Sequence, residues 1–87
     1  MQIKTSAEKL LRTAFIGKKF IRSEFCNCVI HDIYDEEVTT PEELSGKVIK
    51  DIEIYAYGYR EAGIGLKFEE YGEPLFFFGN DTLTVED

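Results

Sequence analysis

The chain has no tryptophan, one methionine, one histidine and two prolines. With His31 as its only imidazole, it has little from which to assemble a general acid–base site, and enzyme chemistry is not expected of it. Long apolar runs are missing too. None exceeds the four residues Leu75 to Phe78, and the opening Met1-Gln2-Ile3-Lys4-Thr5-Ser6 has no signal-peptide core. Membrane insertion and export are therefore not expected, and the expected compartment is the cytoplasm, of a cell or of a host if the chain is virus-encoded. The two cysteines, Cys26 and Cys28, stand two residues apart, a spacing that on a strand is too wide for a relaxed disulfide. Both thiols are expected to be free.

Metal and nucleotide motifs are incomplete. Cys26, Cys28 and His31 form C-x-C-x-x-H with Asp32 and Asp35 nearby, but a strand would turn His31 away from the two thiols, and no second cysteine pair completes four ligands. The cysteines read as small buried hydrophobes, with no metal and no cofactor. Gly17-Lys18 and Gly46-Lys47 lack the upstream glycine and the following Ser or Thr of a phosphate loop, and both sit where helices end. The segment from Asp32 to Glu43 lacks the alternating ligands and central glycine of an EF-hand.

What the chain has is charge, unevenly spread, and phenyl rings. Seventeen acidic and ten basic residues leave a net charge of -7, yet residues 1–22 carry +5 and residues 23–87 carry -12. A negative field disfavours nucleic acid and anionic lipid as direct partners and favours basic protein surfaces. The basic N-terminal segment reads as balancing an acidic sheet. Eighty-seven residues, 44% of them hydrophobic and with seven Phe and five Tyr, make one domain over residues 1–87.

Thr5 as N-cap with Glu8 in the box position, followed by Ala7, Leu10, Leu11, Ala14 and Phe15 at helical spacing, predicts an amphipathic helix up to Gly17. Thr40-Pro41-Glu42-Glu43 predicts a second, short helix over residues 41–45, stopped at Gly46. Lys19 to Tyr34, free of Pro and Gly, predicts a long strand or a hairpin. An acidic loop, Asp35 to Thr40, separates it from an antiparallel meander of Lys47–Tyr59, Ile64–Glu69, Leu75–Phe78 and Thr82–Glu86. The order helix, Gly-Lys, strand occurs twice, and reads as shared helix-ending chemistry. The expected fold is α+β, with the N-terminal helix packed on a four- to five-stranded, mostly antiparallel sheet.

Within the meander, Val48, Ile52, Ile54 and Ala56 supply one apolar face by period-two geometry, which leaves Asp51, Glu53, Tyr55, Tyr57 and Tyr59 on the other. Tyrosine is enriched at contact surfaces, so this stripe is the expected partner-binding face, joined by the acidic turns of Asp35, Glu36 and Glu37 and of Glu69 and Glu70. In size, acidity and want of catalytic residues the chain resembles small virus-encoded inhibitors of host defence proteins, anti-CRISPR proteins among them. The resemblance is one of composition, and it implies an inhibitor that covers a basic nucleic-acid-binding surface. The leading expectation is thus a non-enzymatic protein-binding module. The alternatives are a homo-oligomer, such as a homodimer, that binds a small ligand at its interface, and a housekeeping domain without a dedicated ligand.

Overall fold

A computed structural model describes residues 1–5, 11–55 and 62–87, with Leu11 described through its backbone alone. The expected α+β architecture does not form: the described residues are mostly β, with eight strands in three small antiparallel sheets and two short helices. The strands are β1 (Gln2–Lys4), β2 (Lys19–Ser23), β3 (Ile30–His31), β4 (Glu37–Thr39), β5 (Ile49–Tyr55), β6 (Gly63–Phe68), β7 (Leu75–Phe78) and β8 (Thr82–Glu86), and the helices α1 (Leu11–Phe15) and α2 (Pro41–Leu44). In place of a long helix lying on a sheet, α1 contributes a single described turn whose Phe15 is buried. Ala7 and Leu10, assigned to that helix from periodicity, lie outside the described residues, as do Ala56, Tyr57 and Tyr59 of the predicted strand.

The sheets run β1-β8-β2, β3-β4 and β5-β6-β7. Two isolated antiparallel bridges, Lys19 with Val48 and Asp32 with Leu75, connect all three. The core draws on every sheet and both helices: Phe15, Phe20, Ile30, Leu44, Ile49, Ile52, Leu66, Leu75, Phe77 and Leu83 are fully buried. Phe20 lies at its centre, with its ring centroid 5.4 Å from that of Phe77 and 6.4 Å from that of Phe68. Each such side chain taken out of water contributes about 1.5 to 3 kcal/mol, and packing between sheets replaces the single helix–sheet interface that was expected.

Three local expectations are corrected. Thr82–Glu86 is not the last strand of the meander but the middle strand of the first sheet, pairing with both β1 and β2. Lys19–Tyr34 is broken after Ser23, because the buried carboxylate of Asp81 accepts the backbone N–H groups of Glu24 (3.1 Å) and Phe25 (3.3 Å) together with the Ser23 hydroxyl, drawing the chain into a loop. The cysteines therefore stand on a loop, not a strand, Cys26 half-buried and Cys28 exposed. Finally, the apolar face of β5 is not made by even positions alone. A bulge at Lys50 shifts the register and brings Ile49 to the same side as Ile52, where both are buried; Ile54, on that side too but one position from the end of the strand, is 43% exposed.

The repeated helix, Gly-Lys, strand order is more than shared ending chemistry. Residues 12–20 and 41–49 make the same bonds when shifted by 29 positions. Ile16 and Ser45 donate to Arg12 O and Pro41 O, and Lys18 and Lys47 to Phe15 O and Leu44 O, around Gly17 and Gly46 at φ 85° and 91°. Left-handed backbone of this kind is open to glycine at no steric cost. The two units then bond each other reciprocally: Gly17 N–H to Ile49 O and Gly46 N–H to Phe20 O, Ile49 N–H to Lys18 O and Phe20 N–H to Lys47 O, all between 2.7 and 2.9 Å. This local two-fold arrangement, centred on the Lys19–Val48 bridge, ties the first sheet to the third. Helix α2 is capped as its sequence predicts, with Thr40 Oγ1 accepting the Glu43 N–H at 3.3 Å.

Candidate functional site

The sheet β5-β6-β7 has two unlike faces. On the core side the cross-strand rows are Ile52-Leu66-Leu75 and Ile54-Ile64-Phe77. On the outer side they are Glu53-Gly65-Phe76 and Tyr55-Gly63-Phe78, so the central strand is bare at two successive outward positions. Rings from the flanking strands fill that space diagonally. A Cβ on Gly65 would stand 2.9 Å from Tyr55 Cε2, and one on Gly63 2.6 Å from Phe76 Cζ. The Tyr55 and Phe76 centroids are 6.5 Å apart, Phe76 meets Phe78 edge-on at 5.4 Å, and Phe78 lies 6.4 Å from Phe25 on the loop after β2.

At the polar end of this face the Lys67 ammonium is 3.0 Å from the Glu53 carboxylate, which also accepts the Tyr55 hydroxyl. The tyrosine and lysine hydrogen bonds together hold the Glu53 carboxyl below its ordinary pKa. Two turns rise beside it. In the first, buried Asp32 accepts the N–H groups of Tyr34 (2.8 Å) and Glu36 (3.1 Å) on one carboxylate oxygen, and Asp35 adopts a φ of 68°, so that Tyr34 projects at the apex, 62% exposed. Asx-type bonding of this kind fixes a short loop without help from a core. In the second, Tyr71 lays its ring edge-on against Phe68 at 6.3 Å and donates its hydroxyl to Thr39 Oγ1 at 3.0 Å.

These turns enclose a cleft of about 400 Å³ walled by Tyr34, Ile33, Tyr71, Glu73 and Pro74, with Glu53 and Lys67 on its lining. The same first turn borders a second hollow of about 280 Å³, lined by Phe25, Phe76, Phe78, Cys28, Val29 and His31, with Asp35 at its wall. The loop carrying Phe25 is fixed by Asp81 and by Ser23 Oγ, which accepts the Cys26 N–H at 2.9 Å. Burial pushes the Cys26 thiol above its usual pKa, which leaves Cys28 as the exposed thiol of the loop.

The expected binding residues are distributed unevenly over this surface. Glu53 lines the cleft and Tyr55 bonds to it; Asp35 lines the second hollow. Glu36 and Glu37 are exposed beside the first turn, and Glu69 and Glu70 are exposed at the second, where Glu69 stands 3.6 Å from Lys50. Asp51 is turned to α1, its carboxylate 3.0 Å from the Arg12 guanidinium, one of the contacts through which the basic N-terminal segment meets acids; Lys18 with Asp87 is another. Tyr57 and Tyr59 lie outside the described residues.

Sequence reasoning missed Tyr34, Tyr71, Glu73 and Phe25. A signal for three of them was present: Tyr34-Asp35-Glu36-Glu37 and Glu69-Glu70-Tyr71-Gly72-Glu73 are both tyrosines set in acidic turns, and the fold brings the two to one cleft. Among the described residues no group of three His, Cys, Asp or Glu side chains is placed to hold a metal ion, and no helix is long and apolar enough to cross a membrane. The cleft offers ring faces, hydroxyls and the Glu73 carboxylate beside the Glu53–Lys67 pair; ring faces with a carboxylate are groups that grip a cationic or amphipathic side chain. No protein-family model matches the chain, and neither a curated protein nor a solved structure is significantly similar to it.

Proposed function

We propose that the chain is a non-catalytic protein-binding module whose acidic, tyrosine-lined cleft takes a basic segment of a partner protein. The observation that carries this reading is the convergence of two tyrosine-in-acid turns, through Tyr34, Tyr71 and Glu73, on one concave surface over Glu53. A cationic side chain entering there meets the tyrosine ring faces and the Glu73 carboxylate, with Glu53 and its Lys67 partner at the floor. Cation–π contact of this kind is worth roughly 0.5 to 2 kcal/mol, and the acidic rim steers the encounter. The net charge of -7 supports the same partner class and disfavours nucleic acid as a direct ligand. The fitting biological role is inhibition in a cytoplasm, that of a host for a virus-encoded chain, by covering the basic nucleic-acid-binding surface of a defence protein.

The test is binding of an arginine-rich peptide measured by fluorescence anisotropy. Wild-type protein binds it, with affinity falling about tenfold or more as salt rises from roughly 0.05 to 0.5 M. Tyr34→Ser, at an exposed apex, keeps the fold and weakens binding by roughly tenfold. Equal affinity for an acidic peptide of the same length, or full affinity in the variant, would refute the reading.

A further inference from the structure

We infer that the hollow between the Phe25 loop and β7 is a second subsite, taking one apolar side chain presented by the same basic segment that enters the tyrosine cleft. The inference rests on the proposed function and adds to it the identity of the partner's anchor residue. The hollow is walled by three phenyl rings: Phe76 and Phe78 stand at 87° to each other, and Phe25, 47% exposed, closes the other side at 52° to Phe78. Apolar walls of this extent on a fixed loop lose nothing by admitting an aliphatic side chain, whereas water against them is poorly bonded.

Continuity with the cleft decides which molecule brings that side chain. The Ile33–Asp35 turn is a wall common to both: Ile33 and Tyr34 face the cleft, and Asp35 lines the hollow. A segment lying across this turn places a cationic side chain on one side of it and its neighbour on the other. The acidic surroundings of the turn, Asp35, Glu36 and Glu37, select a basic chain over a neutral one as the carrier. An apolar anchor flanked by cations is thus the recognised pattern, with the apolar group supplying affinity and the cations orientation.

The test uses a series of Arg-Gly-Ser peptides carrying a single Leu at successive positions, with the Leu-free parent as reference. One register, or two adjacent ones, gains about tenfold or more over the parent, the worth of burying a leucine side chain. Binding in that register slows alkylation of the exposed Cys28 by iodoacetamide, which the parent peptide does not. Phe25→Ser removes the gain of the Leu peptide over the parent. If the parent binds and Leu adds nothing at any position, or if the gain persists in Phe25→Ser with Cys28 unprotected, the subsite is refuted while the cleft stands. If no basic peptide binds, both readings fall together.

Discussion

The two faces of the β5-β6-β7 sheet are built from the same three strands, yet they are filled by different rules. On the core face every described row places aliphatic or phenyl groups side by side, and Ile52, Ile64, Leu66, Leu75 and Phe77 are buried to 1% exposure or less. On the outer face the central strand gives up its side chains at Gly63 and Gly65, and rings cross from either side to lie over bare backbone. Glycine inside a strand costs stability and packs nothing, so its use twice in succession makes room for something. Here the room goes to the Tyr55 and Phe76 rings, and Phe76 also walls the phenyl hollow. The core face thus holds the domain together, while the outer face lays rings over a bare central strand.

The largest effect is expected on the core side. Leu66→Asp puts an unpaired charge among fully buried neighbours, a cost of several kcal/mol against a total stability of roughly 5 to 10, and a thermal melt followed by circular dichroism should show no cooperative transition. On the outer face the glycines separate two effects. Gly63→Ala sets a Cβ hard against the Phe77 carbonyl oxygen, which is backbone and cannot swing aside, so a loss of about 1 to 3 kcal/mol is expected in urea unfolding. Gly65→Ala meets the Tyr55 ring at 2.9 Å and the Pro74 side chain at 3.0 Å, of which the ring can move; the expected loss is about 1 kcal/mol or less, with a shift of the Tyr55 ring resonances. If Gly63→Ala proved as mild as Gly65→Ala, the close packing of the outer face would be refuted.

Smallest of all is the effect of acid on Glu53. Its folded carboxyl lies below the ordinary value because the Tyr55 hydroxyl and Lys67 favour the charged form. A depressed carboxyl contributes stability above its unfolded pKa and loses it as pH falls through the folded one. The gap in stability between wild type and Glu53→Gln should therefore be constant near neutrality and close below pH 4.5, the ordinary value. Because the Glu53 side chain is partly exposed, solvent screening keeps the gap small.

Much of the local structure was legible in the sequence, and most of the long-range arrangement was not. The bounds of β7 and β8, the Thr40 cap and the two glycine helix ends follow from turn and cap chemistry acting within a few residues. The partners of β8 do not, since pairing with Gln2–Lys4 and Lys19–Ser23 is a matter of distant chain segments. Nor does the bulge at Lys50, which moves Ile49 onto the buried side and undoes strict alternation. For the site, the acidic turns and Tyr55 stood out by composition. Tyr34 and Tyr71 did not, because their meaning comes from the bridge of Asp32 to Leu75 and the Ile33 N–H bond to Pro74 O, which bring the two turns together.

The proposed binding site for a basic partner is the outer face, at the cleft between the two tyrosine turns. A titration of isotope-labelled protein with an arginine-rich peptide, followed by amide chemical-shift changes at low and high salt, tests it most directly. The predicted result is a set of saturable changes concentrated on residues 33–37 and 69–74 with Glu53 and Lys67, shrinking as salt rises. Changes spread over all acidic positions alike, Asp87 and Glu86 as much as Glu73, or no saturable change at all, would contradict it.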